Sequence, residues 1–176
     1  MGLKEELLKK IEDRSIRVGV VGLGYVGLPL AVEKARAGFQ TTGFDVQDEK
    51  VKLVNAGHNY IGDIVDDDLK ALVEAGKLRA TTDFSFIKDV DFVAICVPTP
   101  LDAHQQPDIS YVKSSAESIA AHLKAGTMVV LESTTYPGTT EELVKPILEE
   151  GSGLVCGEDF YLGFSPERVD PGNKQY

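Results

Sequence analysis

Two hydrophobic periodicities take turns along this chain. Across residues 3–13 (LKEELLKKIED), Leu3, Leu7, Leu8 and Ile11 recur at helical spacing with charges opposite, which predicts a short amphipathic helix ahead of the core. Residues 16–21 then form an apolar run rich in Val and Ile, interrupted by Arg17 and Gly19, as a strand buried on both faces would read. A helical pattern follows over 26–37, then a strand ending at Phe44 and Asp45, then a helix over 48–56 that stops at Gly57. Residues 67–75 predict another helix and 78–81 a short strand. The run DFVAICV at 91–97 is a further buried strand, ended by Pro98 and Pro100. The pattern closes with a helix over 110–123, a strand over 127–133, a helix near 140–149 and a candidate strand over 160–165. Strands that alternate with helices need crossover connections, so the expected fold is α/β, a doubly wound parallel sheet with helices on both faces and a short N-terminal helix before it.

Composition narrows the class. At 176 residues and 43% hydrophobic, the chain can bury one sizeable core. With 28 acidic against 18 basic residues its net charge is -10, which repels a polyphosphate backbone, so neither nucleic acid nor an anionic membrane is an expected partner. No apolar run approaches the roughly 20 residues a membrane helix needs. Residues 1–15 carry Lys and Glu where a signal peptide would be apolar, and the expectation is a soluble, cytoplasmic protein. Cys96 and Cys156 stand 60 positions apart with no CxxC motif or nearby His, so no metal site is expected, and both read as buried thiols.

The first motif with chemistry in it is Gly22-Leu23-Gly24-Tyr25-Val26-Gly27, set between a buried strand and a helix. Gly22 permits a tight turn, Gly24 leaves room for a pyrophosphate against the backbone, and Gly27 lets helix and strand pack closely, with the helix amino terminus facing the phosphate charge. Such a glycine pattern alone is weak, because a turn that merely packs a helix on a sheet can share it. Here the strand, the helix and an acidic residue 18 positions after Gly27 all agree with a dinucleotide fingerprint. That residue, Asp45, can accept hydrogen bonds from ribose hydroxyls and would repel a 2′-phosphate, and residues 46–49 (VQDE) offer no Arg to welcome one. NAD is therefore expected over NADP. Asp45 could instead cap the next helix, a role for which Asp48 is better placed. Residues 1–15 are thus read as a helical extension and 16–176 as one dinucleotide-binding domain.

Three further segments fall at the carboxyl ends of strands, where open α/β sheets bind ligands: 97–100 (VPTP), 132–140 (ESTTYPGTT) and 165–173 (SPERVDPGN). Singly each has a bland reading as strand terminator, helix cap or surface pair. Together with VGLGYVGLPLA, GFD and LRATTDFS they make the chain, from Arg17 to its last residue, resemble the amino-terminal NAD-binding domain of the UDP-glucose/GDP-mannose dehydrogenase family. Members of that family oxidise C6 of a nucleotide-linked sugar to a carboxylate in two NAD-dependent steps. The SPER segment followed by PGN is more similar to the bacterial branch acting on UDP-N-acetylated hexosamines than to enzymes with an NPEFL-type segment. Gly62 departs from the acidic residue expected in that branch, and Val169 from Glu.

The resemblance implies a role for each matching residue. Gly22, Gly24, Tyr25, Val26 and Gly27 would bind the pyrophosphate, and Asp45 with Lys50 the adenosine ribose. Pro98 and Thr99 would line the cofactor cleft, and Thr134 would join them while reaching, with Glu167, the reacting centre. Removing a proton from an alcohol, and later from water attacking a thioester, needs a positioned carboxylate and a hydroxyl that organises the water. Glu167 is the expected base. The family's thiol nucleophile, in a Gly-Gly-His-Cys type segment, and its Lys and Asn belong to portions after this domain. Cys96, read as mid-strand, and Cys156, read as lacking a His or Lys neighbour, are not expected to replace it. The resemblance thus implies a chain cut short and inactive alone, whose parent takes a small-molecule UDP-sugar and forms a homodimer. A stand-alone NAD-binding module and a β-hydroxyacid dehydrogenase domain are the alternatives, and ESTTYPGTT and SPER argue against the second.

Overall fold

A computed structural model describes residues 2–62, 64–101 and 106–166. Helix α1 (Leu3–Glu12) precedes β1 (Arg17–Val21), α2 (Gly27–Arg36) and β2 (Gln40–Phe44). Helices α3 (Asp48–Asn55) and α4 (Asp66–Glu74) then lead to β3 (Leu78–Thr81). The second half runs β4 (Phe92–Ile95), α5 (Ser110–Ala120), β5 (Met128–Leu131), α6 (Lys145–Ser152) and β6 (Tyr161–Phe164). The six strands form one parallel sheet in the order β3-β2-β1-β4-β5-β6, which is the doubly wound arrangement expected.

Each face of the sheet has its own apolar layer. Val18 and Val20 of β1 pack with Leu28, Ala31 and Val32 of α2 on one side, whereas Val21, Phe44 and Ile95 meet Ile119 of α5 and Leu148 of α6 on the other. Gly19 leaves space for Phe44: a Cβ there would stand 3.2 Å from the ring.

Four expectations need correction. Residues 84–89, read as part of no element, form a 3-10 helix (Phe84–Asp89) started by Asp83, whose Oδ1 accepts from the Ser85 amide at 2.9 Å. The helix near 140–149 begins as a π-helical turn (Thr139–Val144) before α6. Pro146 lacks an amide and its ring presses on the carbonyl four residues back, and a wider turn relieves that pressure. Strand β4 stops at Ile95, so Cys96 lies just past the strand end and not within it. On α1 only Leu7 is buried, while Leu8 and Ile11 are 47% and 44% exposed.

Charge supplies what the apolar face of α1 lacks. The Asp91 carboxylate, buried just before β4, accepts from Lys10 of α1 and from Lys124 at 3.1 Å each through Oδ1, and from the Arg17 amide at 3.0 Å through Oδ2. Burial alone would raise the Asp91 pKa, but the Arg17 amide and the two ammonium groups outweigh it and hold the carboxyl below its usual range.

Candidate functional site

Loops from the carboxyl ends of β1, β2, β4 and β5 converge on a cleft of about 520 Å³, at the point where the strand order reverses between β1 and β4. The cleft collects Gly22, Gly24, Tyr25, Val26, Asp45 and Lys50 from one half and Pro98, Thr99 and Thr134 from the other, all of them expected from the sequence. Glu167 and Val169 lie outside the described residues. At Gly62 a Cβ would meet nothing within 4 Å, so the departure there leaves no packing defect.

The three glycines of the first loop do different things. Gly22 turns the chain at φ +90, donates its amide to the Phe44 carbonyl at 2.8 Å, and sits so close to the segment just past β4 that a Cβ would come within 2.8 Å of the Cys96 carbonyl oxygen. Gly24 borders the cleft with nothing within 4 Å of where its Cβ would be. Gly27 is not among the lining residues: it is buried at the start of α2, and a Cβ would stand 1.7 Å from the Gly22 carbonyl oxygen. Its side-chain position is taken up by close packing beneath the loop. The amides of Gly24, Tyr25 and Val26 find no acceptor among the described residues. They lie just ahead of the α2 amino terminus, an arrangement that favours an anion.

Asp45 follows β2 and is 7% exposed. Its Oδ2 accepts from the Leu23 amide at 2.8 Å, its Oδ1 from the Gln47 amide at 2.9 Å, and Lys50 Nζ stands 3.8 Å away. Asp48 is the first residue of α3 and makes no capping bond, nor does Gln47 before it, so the capping role expected of Asp48 is absent. The local bond at this helix start is the one from the Gln47 amide to Asp45. Each carboxylate oxygen keeps a further lone pair, so the same group can still accept from a ribose hydroxyl. Beyond Asp45 and Lys50 the cleft continues into a hollow of about 270 Å³ bordered by Val46, Phe84 and Tyr111.

At the other end the β4 and β5 loops are stitched together. Thr99 Oγ1 donates to the Thr134 carbonyl at 2.5 Å, and the buried Ser133 hydroxyl donates to the Val97 carbonyl at 2.8 Å. Cys96 and Glu132 line the cleft here, with Cys96 Sγ 3.9 Å from Glu132 Oε2. A carboxylate neighbour repels a thiolate and does not activate one. Cys156 lies away from the cleft. Burial pushes its thiol pKa up, against the pull of Lys145, a basic neighbour that adjacent residues alone did not reveal.

Sequence reasoning missed Tyr60 and Ile61, which form part of the cleft wall from the loop after α3. Tyr60 Oη donates to the Leu23 carbonyl at 2.7 Å. Burial first, and the Asp45 charge second, raise its phenol pKa, so the hydroxyl remains a donor. The only signal was an aromatic residue among turn formers in HNYIG.

A six-stranded parallel sheet in this order, a glycine loop opening a helix and a carboxylate after the second strand define a dinucleotide-binding domain of the Rossmann type. The chain belongs to the UDP-glucose/GDP-mannose dehydrogenase family, whose NAD binding domain matches residues 16–176. It is 42% identical over 165 residues to a UDP-N-acetyl-D-glucosamine 6-dehydrogenase of Pseudomonas aeruginosa, a match covering 93% of this chain and 38% of that protein. Among solved structures, an NDP-N-acetyl-D-galactosaminuronic acid dehydrogenase from Methanosarcina mazei Go1 superposes with a TM-score of 0.86 at 38% identity, over 98% of this chain and 38% of the other. A GDP-mannose dehydrogenase from Pseudomonas aeruginosa, solved as a ternary complex, gives a TM-score of 0.83 at 32% identity, over 89% of this chain and 37% of the other. The chain therefore spans a little over a third of the length of these relatives. NAD is the cofactor of this domain, and the reading as a nucleotide-sugar dehydrogenase domain is favoured over the stand-alone module and the β-hydroxyacid dehydrogenase. Among the described residues no helix is long and apolar enough to cross a membrane.

Proposed function

We propose that this chain is the cofactor-binding portion of a 6-dehydrogenase that converts a UDP-hexose or UDP-N-acetylhexosamine to its uronic acid in two NAD-dependent steps. The observation that carries this reading is the single cleft that joins the glycine loop and Asp45 at one end to Thr99 and Thr134 at the other. The site suits NAD: open space beside Gly24, amides awaiting an anion, and a carboxylate positioned beyond them. When bound, NAD supplies the hydride acceptor.

The chain's own residues then divide the work. Amides of Gly24, Tyr25 and Val26 hold the pyrophosphate, with Gly22 and Gly27 shaping the loop. Asp45 and Lys50 take the adenosine ribose, while Pro98 and Thr99 flank the far end of the cleft. Thr134 presents its hydroxyl to the reacting centre, and Glu167 serves as the base that accepts the proton of the sugar alcohol and later of water. Residues 16–176 act as one cofactor-binding unit with 1–15 as an extension. The SPER segment and the relatives' names favour a UDP-N-acetylhexosamine. The parent is a cytoplasmic homodimer in this reading.

Calorimetry with NAD and NADP tests the cofactor half of the proposal, with NAD expected to bind clearly better and Asp45→Ala to narrow the gap. Each lost hydrogen bond to the charged group is worth roughly 1.5–3 kcal/mol. Equal affinities for the two dinucleotides would sink the ribose assignment. The parent protein should form two NADH per UDP-N-acetylhexosamine consumed, and a single NADH would overturn the proposed reaction.

A further inference from the structure

We propose that Tyr60 is a positioning residue for the pyrophosphate loop, its hydroxyl holding the Leu23–Gly24 peptide in the orientation that presents the Gly24 amide to phosphate. The inference rests on the reading that the glycine loop binds the pyrophosphate of NAD.

Leu23 is held from three directions. Its side chain is fully buried, packed so tightly over Gly43 that a Cβ on that glycine would come within 2.7 Å of it. Its amide is anchored on Asp45 Oδ2 at 2.8 Å, and its carbonyl accepts from Tyr60 Oη at 2.7 Å. Among the described residues no other donor reaches that carbonyl. The Leu23 carbonyl and the Gly24 amide belong to one planar trans peptide and point in opposite directions, so whatever fixes the first aims the second. This peptide has particular need of fixing. A flip of the Leu23–Gly24 plane rotates φ of residue 24, and glycine accepts either sign of φ at little cost.

Tyr60 is itself well placed to act as an anchor. Its loop is organised by Asn59, whose Oδ1 accepts from the Ile61 amide at 2.7 Å, whose Nδ2 donates to the Ile64 carbonyl at 2.5 Å, and whose amide reaches Asp66 Oδ1 at 2.9 Å. The tyrosine ring lines the cleft, while its hydroxyl is spent on the protein. Tyr60→Phe therefore keeps the wall and removes only the anchor.

The test compares ligands with and without a pyrophosphate on the wild-type chain and on Tyr60→Phe. NAD and ADP-ribose, by calorimetry, should each lose about tenfold in affinity, the usual scale for one hydrogen bond. Adenosine, titrated by NMR at millimolar concentration, should bind as before, and the ratio of NAD to NADP affinity should not change. In the NAD-bound chain, protection of the Gly24 amide from hydrogen exchange should fall. Unchanged NAD affinity in Tyr60→Phe, or an equal loss for adenosine, would overturn the proposal. A wild-type chain that binds adenosine and ADP-ribose equally well would instead strike at the pyrophosphate reading beneath it.

Discussion

Three glycines of one motif should fail in three different ways, and the contrast can be measured on this chain. Gly24→Val places a side chain into space bordering the cleft and touching no protein atom within 4 Å of its Cβ, at a backbone position outside the left-handed region. Its effect on folding should stay within about 0.5 kcal/mol, as for a surface substitution. If the side chain displaces two amide-to-phosphate hydrogen bonds at roughly 1.5–3 kcal/mol each, NAD binding weakens by about 10² to 10⁴. Gly22→Ala reverses the balance. Left-handed backbone costs a non-glycine residue about 1–2 kcal/mol, and a Cβ driven against a backbone carbonyl adds roughly 1–3. Gly27→Ala should destabilise most, because a Cβ 1.7 Å from the Gly22 oxygen forces α2 off the sheet. Thermal unfolding by circular dichroism reads the fold, and calorimetry reads NAD. Retained NAD affinity in Gly24→Val, or a wild-type melting temperature in Gly27→Ala, would refute this division of roles.

The Asp91 cluster makes stability depend on acid. Because its folded pKa is lowered, its contribution is fully present above the unfolded carboxylate value and is lost as pH falls through the folded one, so the window lies below about pH 5. Asp91→Asn should cost about 1.5–3 kcal/mol at neutral pH, moderated because the Lys10 and Lys124 side chains are 33% and 37% exposed and can return to water, and urea titrations should show a flatter loss toward acid pH. An unaltered acid limb would mean that another carboxylate governs it. The 176-residue chain alone should yield no NADH from UDP-glucose, UDP-N-acetylglucosamine or UDP-N-acetylmannosamine, since holding a sugar against the nicotinamide can account for roughly 7–11 kcal/mol of barrier lowering, Cys96 stands beside the Glu132 carboxylate and burial raises the Cys156 thiol pKa. Turnover that survives Cys96→Ala and Cys156→Ala would refute that expectation, and turnover abolished by either substitution would identify the thiol.

The strands were legible because central parallel strands bury both faces, and such burial writes continuous Val and Ile runs such as those of β1 and β4. Their ends were less so. A run of apolar residues continues past the ladder, and Cys96 belongs to the run and to the cleft but not to β4. The 3-10 helix at Phe84–Asp89 is too short to show a period, and its start depends on one Asp83 side chain. On α1, spacing placed Leu8 and Ile11 on the buried face, whereas in the structure Leu7 is buried and Lys10 ties the helix to Asp91, 81 residues away. Among cleft-lining residues, Gly22, Gly24, Tyr25 and Val26 of the glycine motif and Pro98, Thr99 and Thr134 of the strand-end segments were legible in the sequence. Tyr60 was not, because its hydrogen bond spans 37 residues and sits in a loop whose course is set by Asn59 rather than by any periodicity.

Asp45 has a structural part that its motif does not reveal. The fingerprint explains this carboxylate by the ribose it can bind and the 2′-phosphate it excludes. In the structure both oxygens already accept backbone amides, one of them from the glycine loop itself. In the proposed reading, the group that selects the cofactor is thus also part of the scaffold that shapes the glycine loop. Replacing it to admit NADP would remove a repulsion and, in the same stroke, release the Leu23 amide. Tyr60 holds the other side of that residue and has no such second duty at the ribose. A change at Asp45 should therefore alter both selectivity and pyrophosphate affinity, a change at Tyr60 only the latter, and the difference between them isolates what the ribose contributes.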